Sequence, residues 1–217
     1  MVVAIDGPAG AGKSTVAKRL AEIMEFFYLN SGNFYRAVTF AVLEEGDDPG
    51  NETSIIRRAK KCSMEIRDGN LYLNGRNIEN RLHSDEVDRW VAQHSAIVKV
   101  RKIVNKAIRK ATAKLDLIAE GRDMTTVVFP DAEVKVYLDA SMETRTERRF
   151  SQGTSTLAPE KIEENLKKRD HIDKNKPFGS LKIAEDAVYL DSTDLTIEQV
   201  CERVQEKILE AKKKSRS

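Results

Sequence analysis

A glycine-rich run that ends in lysine and serine is the strongest chemical pattern in the sequence. Residues 7–14 read Gly-Pro-Ala-Gly-Ala-Gly-Lys-Ser and follow a short apolar run at residues 2–5. Glycines allow successive backbone N–H groups to curl around phosphate oxygens, and a following helix directs its positive dipole end at them. The pattern predicts that a polyphosphate is bound by Gly7, Pro8, Ala9, Gly10, Ala11, Gly12, Lys13, Ser14 and Thr15.

Two side chains of this run have chemistry suited to phosphoryl transfer. Lys13 would reach the β and γ phosphates of ATP, and the Ser14 hydroxyl would be a ligand of Mg²⁺. The acceptor stays open, because GTPases, ATPases and small-molecule kinases share this loop. A GTPase is disfavoured, since residues 47–50 read as a turn and the sequence has no Asn-Lys-x-Asp segment. Asp139 ends an apolar run, and we expect it to cap the following helix rather than bind metal.

Arginines and carboxylates stand at several positions where a kinase could use them. A kinase that moves phosphate onto a second phosphate must hold two anions together, so several arginines should converge. Arg122 and Asp123 follow an apolar run directly, where a parallel sheet presents ligand-facing residues. The other candidates are Arg36, the pair Arg148 and Arg149, and the charged group Arg169, Asp170 and Asp173.

The apolar patterns predict an α/β fold. Buried strands are expected at residues 2–5, 115–119, 134–138 and 187–190, with helical patterns between them. Helices are expected near 33–45, from 52, over 85–114 and over 196–212. Strands alternating with helices predict a doubly wound parallel sheet with helices on both faces. Residues 63–80 alternate between apolar and polar positions and predict a small antiparallel insertion.

Composition bounds the class of protein. The chain has 217 residues, 40% hydrophobic and 33% charged, with a net charge of +2, which is ordinary for one folded domain and gives no footprint for nucleic acid. Two distant cysteines and three scattered histidines suggest neither a disulfide framework nor a metal site. No secretory signal or membrane-spanning run is present in the sequence. We expect a cytoplasmic monomer, with no membrane partner, and a solvated tail at the basic residues 212–216.

Several segments together resemble the bacterial cytidylate kinase family. They are Ile5 to Ser14, Asn30-Ser31-Gly32 with Tyr35-Arg36, Gly121-Arg122-Asp123-Met124 with Thr126 to Ala132, Val136 to Ser141, Arg148-Arg149, Arg169-Asp170 with Asp173, and Leu190 to Thr193 with Ile197 to Val200. The resemblance covers nearly the whole chain. It implies a nucleoside monophosphate kinase of P-loop type that transfers the γ-phosphoryl of ATP to CMP or dCMP, with Mg²⁺ required.

The resemblance also implies roles for individual residues. Arg36 and Arg122 would bind the acceptor phosphate, and Arg169 and Asp173 would lie near the ribose. Ser31, Arg101 and Asp123 would contact the cytosine. A carboxylate can accept from the cytosine amino group, whereas uracil offers a carbonyl there, so UMP should be disfavoured. Arg148 and Arg149 would belong to a lid that brings positive charge over the transferring phosphoryl.

The same resemblance predicts how the chain is organised. Residues 1–31, 105–147 and 177–217 would form the core, residues 32–104 the acceptor region, and residues 148–176 the lid. The sequence departs from the family pattern at Ala92, at Thr125, where a glycine is familiar, and at Lys176, where an arginine is familiar. The alternatives are a P-loop kinase for another nucleoside monophosphate or a small metabolite, and a nucleotide-binding regulatory module without turnover.

Overall fold

A computed structural model describes residues 1–67, 69–151 and 158–214. The chain forms two compact units, residues 1–29 with 116–217 and residues 30–115. Asp68, in a predicted turn, residues 152–157, in the predicted lid, and residues 215–217, in the predicted basic tail, lie outside the described residues. In the part of the chain that is described, no helix is both long and apolar enough to cross a membrane.

The first unit is built on a five-stranded sheet whose order is β2-β6-β1-β7-β8. Its strands are β1 (Val2–Asp6), β2 (Phe27–Asn30), β6 (Leu117–Gly121), β7 (Val134–Asp139) and β8 (Val188–Asp191). The pairs β1–β6, β1–β7 and β7–β8 are parallel. In this order β6 lies on one side of β1 and β7 on the other. A ligand crevice is expected at the carboxyl end of a strand where the order of a parallel sheet changes direction in this way. The predicted parallel sheet with helices is confirmed.

Among its described residues, this unit has the α-helices α1 (Lys13–Met24), α6 (Met142–Ser151), α7 (Pro159–Asn175) and α8 (Ile197–Lys214). Alternate residues of β1 and β7, such as Ile5 and Leu138, turn one apolar face of the sheet toward Leu20 of α1 and Ile208 of α8. All four of these side chains are fully buried. This shared core fixes the start of α1 against the end of β1, which is where the glycine-rich run lies.

The second unit is helical with a small sheet. Its elements are α2 (Ser31–Glu44), α3 (Glu52–Lys61), β3 (Met64–Arg67), β4 (Asn70–Leu73), β5 (Arg76–Asn77), α4 (Asp85–Ala96) and α5 (Val98–Thr112). The antiparallel order β3-β4-β5 confirms the predicted insertion. The helix predicted over 85–114 is two helices instead, because Ile97 takes an extended conformation between them.

Three sequence predictions in the first unit need correction. The strand predicted at 115–119 lies at Leu117–Gly121, and β2 was not predicted at all. Asp139 does not cap α6, because its carboxylate accepts from the Ala140 N–H at 2.9 Å and from the Tyr189 hydroxyl at 3.2 Å. The hydroxyl of Ser141 caps that helix by accepting from the Thr144 N–H at 3.1 Å.

Candidate active site

The glycine-rich run forms the loop between β1 and α1, as its spacing predicts. At Gly7, an added Cβ would lie 1.9 Å from the backbone oxygen of Leu138, so only glycine allows the loop to pass this close to β7. At Gly12, which immediately precedes α1, φ is 89°, in the left-handed region. Two glycines therefore set the path of the loop into the N-terminus of the helix.

Lys13 is buried at the first position of α1. Its Nζ donates to the carbonyl oxygen of Pro8 at 2.7 Å, so the side chain folds back over the loop. Burial is the main cause that lowers the pKa of Lys13 to about 7, and the positive charge of Arg122 lowers it further, while Glu120 acts in the opposite direction. The lysine thus lies among other cations, where anionic phosphate would be favoured.

Oxygen atoms converge beside the loop at Ser14. The Ser14 hydroxyl donates to Glu120 Oε1 at 2.7 Å, and the Tyr28 hydroxyl donates to the same oxygen at 3.2 Å. Glu120 is almost fully buried in β6. A hydroxyl and a carboxylate are ligand types that suit Mg²⁺, directly or through water. The oxygen ligands at this end of α1 therefore fit Mg²⁺, the metal that the phosphate loop implies.

Arg122 and Asp173 form a partly buried ion pair in the same unit. Arg122 Nε donates to Asp173 Oδ2 at 2.8 Å, and Lys176 Nζ donates to the other oxygen at 2.5 Å. Burial opposes the charge on Asp173, but Arg122 and Lys176 outweigh it and hold the pKa of Asp173 at about 2. The structure thus brings together a predicted phosphate ligand and a predicted ribose ligand.

Asp123 is buried and precedes a short π-helical turn, Met124–Val128. Turns of this kind often occur at functional sites. The N–H groups of Val127 and Val128 both donate to the carbonyl oxygen of Asp123, at 2.9 and 3.0 Å. The backbone of Asp123 is therefore firmly held at the carboxyl end of β6.

The two predicted lid arginines have different surroundings. Arg148 donates from Nη1 to the Ser192 hydroxyl at 3.0 Å and from Nη2 to the Ser192 carbonyl at 2.7 Å. Its Nη1 would lie 3.8 Å from a Cβ on Gly12, which puts the guanidinium beside the phosphate loop. Arg149 is exposed on α6, and Arg169 is exposed on α7. Of the two lid arginines, Arg148 has the defined position beside the loop.

The predicted acceptor residues of the second unit lie on two helices. Ser31 begins α2 and is buried, while Arg36, on the same helix, donates to the Leu82 carbonyl at 3.1 Å and to Asp88. Arg101, on α5, is 2% exposed, donates to the Ser95 carbonyl at 3.0 Å, and stacks its guanidinium 5.0 Å from the ring centre of Tyr35. Arg36 and Arg101 are therefore each held by contacts within this unit.

Sequence reasoning missed two buried charged residues that contact the phosphate loop, Glu120 and Arg145. Glu120 is the only charged residue in an otherwise apolar strand. Because a carboxylate is rarely buried without a partner, this position could have been predicted to be functional. Arg145 lies on a helix with many charges, so its burial could not be distinguished from ordinary surface charge. In the structure, its Nη1 donates to the carbonyl of Ala9 in the loop at 3.0 Å.

Comparison with known proteins gives one consistent family. The family model for cytidylate kinase matches residues 3–210. A cytidylate kinase of Clostridioides difficile (strain 630) is 40% identical, covering 96% of this chain and 98% of its own length. A cytidylate kinase of Borreliella burgdorferi (strain ZS7) is 37% identical, covering 95% and 96%.

Solved structures with much lower identity share the fold. A shikimate kinase from Bacteroides thetaiotaomicron superposes with a TM-score of 0.51 at 11% identity, over 97% of this chain and 98% of its own. An uncharacterized protein from Eubacterium ventriosum gives 0.56 at 13% identity, over 96% and 98%. The family assignment itself comes from the sequence matches: this chain belongs to the cytidylate kinase family.

Proposed function

We propose that this chain catalyses the reversible transfer of the γ-phosphoryl group from ATP to CMP or dCMP, giving ADP and CDP or dCDP. The observation that carries the proposal is the placement of two cationic side chains on the phosphate loop: Lys13, whose Nζ donates to the Pro8 carbonyl at 2.7 Å, and Arg148, whose guanidinium lies beside Gly12. A cluster of cations at the end of a phosphate loop is suited to two anionic groups held together. Family membership and the names of the relatives support cytidylate as the acceptor.

The residues of the loop would bind the donor. The backbone N–H groups of residues 10–14 would surround its β-phosphate, and Lys13 would exchange the Pro8 carbonyl for a phosphate oxygen. Ser14 and Glu120 would hold Mg²⁺, which would neutralise charge on the donor phosphates when bound. Arg148, beside Gly12, would add positive charge to the same end of the donor.

The acceptor phosphate needs little chemical activation. It is an anionic nucleophile at neutral pH, so a strong general base is unnecessary and catalysis would consist of positioning and charge neutralisation. In the first unit, Arg122 would bind the acceptor phosphate, Asp123 the cytosine, and Asp173 with Arg169 the ribose. In the second unit, Ser31 and Arg101 would contact the cytosine and Arg36 the phosphate.

The ion pair between Arg122 and Asp173 has a consequence for binding. Asp173 accepts from Arg122 Nε, while Arg122 Nη1 donates to the adjacent Gly121 carbonyl at 3.2 Å. The Asp173 carboxylate would thus orient the terminal nitrogens of Arg122 before an acceptor phosphate binds to them. Asp173 would therefore orient Arg122 as well as approach the ribose.

An acceptor panel tests the proposal. ADP formation is measured with ATP and Mg²⁺ and with CMP, dCMP, UMP, AMP or GMP in turn, and Lys13→Met serves as the control for contaminating kinases. We expect CMP and dCMP to be the best acceptors. Equal rates with all five nucleotides would contradict cytidylate as the acceptor and favour a broader kinase. The predicted cytoplasmic location and monomeric state stay predictions.

A further inference from the structure

A buried carboxylate connects the phosphate-loop strand to the segment that carries Arg122 and Asp123. Asp6 is the last residue of β1 and is fully buried. Its Oδ1 accepts from the Met124 N–H at 2.9 Å, and its Oδ2 accepts from the Thr125 N–H at 2.7 Å. N–H groups in the first turn of a helix have no partner within it, and a carboxylate there is favourable. Asp6 thus caps the π-helical turn from another strand.

The side chain of Thr125 adds a third hydrogen bond. Its hydroxyl donates to Asp6 Oδ2 at 2.6 Å, and Thr125 is only 2% exposed, so the bond is shielded from water. Hydrogen bonds to a charged acceptor are the stronger kind. The φ of Thr125 lies outside the left-handed region, so its Cβ brings no backbone strain. Glycine, the familiar residue of the family pattern here, could donate only its N–H.

These contacts fix a very short segment at both ends. Asp6 pairs with Gly121 in the register of β1 and β6, so the backbone before Arg122 is held by the sheet. The side chain of Asp6 holds the backbone after Asp123 through Met124 and Thr125. Only Arg122 and Asp123 lie between the two anchors. Asp6, which lies immediately before the phosphate loop, therefore restrains the backbone path of Arg122 and of Asp123.

We infer that Thr125 is a positioning residue for the acceptor nucleotide, because its hydroxyl fixes Asp6 and thereby the Arg122–Asp123 segment. The inference rests on the proposed function, in which these two residues bind CMP. Preorganised ligands lower the cost of binding, and small displacements at a reacting centre have large effects on rate. Loss of the hydroxyl should therefore weaken use of CMP more than use of ATP.

Electrostatics gives this role a second readout. Burial raises the pKa of Asp6 to about 6, while the hydrogen bonds from Thr125 and Met124 oppose the rise. The titratable groups whose charges interact with Asp6 include Asp123, Lys13 and Tyr137. Without the Thr125 hydroxyl, the pKa of Asp6 should rise further. The acid limb of kcat/KM for CMP should then move to higher pH.

The test compares Thr125→Val, Thr125→Ser and the neighbouring control Thr126→Val in steady-state kinetics. Valine keeps the shape of threonine and removes the donor, whereas serine keeps the donor. We expect Thr125→Val to raise KM for CMP about 5- to 10-fold, with KM for ATP within about twofold of wild type, and to shift the acid limb upward. Thr125→Ser should restore both properties, and Thr126→Val should match wild type.

Two results would overturn the inference: equal KM for CMP and equal acid limbs in wild type and Thr125→Val, or a Thr125→Ser enzyme that behaves as the valine variant does. Thermal melting shows whether Thr125→Val folds. If it does not, Thr125→Gly, which keeps the hydrogen bond from the backbone N–H to Asp6 but lacks the hydroxyl, replaces it in the same comparison. A wild-type enzyme that does not phosphorylate CMP would instead refute the proposed function.

Discussion

The guanidinium of Arg145 and the carboxylate of Asp170 form a buried ion pair of 2.6 Å that also holds both polar backbone groups of Ala9. Arg145 donates to the Ala9 carbonyl at 3.0 Å, and the Ala9 N–H donates to Asp170 at 3.4 Å. Arg145 lies on α6 and Asp170 on α7. Two helices remote from β1 in sequence therefore fix the shape of the phosphate loop.

Asp170→Asn should destabilise the protein and weaken ATP binding. Removing one partner leaves the other charge buried without compensation, which costs about 3 kcal/mol in the free energy of unfolding. Urea unfolding measures the loss, and KM for ATP should rise because Ala9 loses an anchor. Glu164→Gln, which breaks the exposed pairs of the same helix, is the matched control and should leave the unfolding midpoint unchanged. Equal midpoints for both variants would contradict the role of the pair.

Nucleotide binding should be coupled to proton uptake by Lys13. With its pKa lowered to about 7, Lys13 is mostly neutral at pH 8 in the free enzyme, and donor phosphates should raise that pKa again. We therefore expect close to one proton to be taken up per nucleotide bound at pH 8, and less at pH 6. Calorimetry in two buffers with different ionisation enthalpies measures the uptake. The same uptake in Lys13→Met would show that another group is responsible.

Asp123→Asn should weaken the preference for CMP over UMP. The carboxylate can only accept, which suits the amino group of cytosine, whereas the amide can also donate to the carbonyl of uracil. We expect the ratio of kcat/KM values for the two nucleotides to fall about tenfold or more. Asp131→Asn, at an exposed position after the same turn, is the control. An unaltered ratio in Asp123→Asn would mean that the base is recognised elsewhere.

Glu120→Gln should raise the Mg²⁺ concentration that the enzyme requires. The carboxylate accepts from Ser14 and would support the metal there, and loss of such a partner weakens metal binding about tenfold or more. A Mg²⁺ titration of nucleotide binding, followed by calorimetry, measures the change without turnover. Tyr28→Phe, which removes only the 3.2 Å hydrogen bond to Glu120, should have a much smaller effect. Equal Mg²⁺ dependence in Glu120→Gln and wild type would contradict this role.

Much of the fold followed from the sequence because its signals are local. The glycine spacing at residues 7–14 and the apolar runs at β1 and β7 specify a strand, a loop and a helix with little ambiguity. The turn residues of 63–80 predicted the insertion for the same reason. Arg122 was expected at a strand end and lies there, although the strand begins two residues later than predicted.

Other features depend on distant contacts that periodicity does not report. β2 has only four residues and follows the end of α1 after two residues, neither of them glycine or proline, so its apolar pattern could not be separated from that of the helix. Asp139 and Ser141 were equally suitable caps by residue type, and only the geometry at the end of β7 distinguishes them. The hydrogen bonds that Asp6 accepts from the N–H groups of Met124 and Thr125 join residues more than a hundred positions apart. The sequence showed that Thr125 departs from the family pattern, but it did not show that Thr125 forms hydrogen bonds to Asp6.

The most direct test of the account is the identity of the product. Phosphorus NMR of wild-type protein with ATP, Mg²⁺ and CMP should show the β-phosphate resonance of CDP growing in step with that of ADP, with no free phosphate. The same mixture with Lys13→Met should stay unchanged. ADP accompanied by free phosphate, with CMP left intact, would contradict the central claim that this protein transfers phosphate to cytidylate.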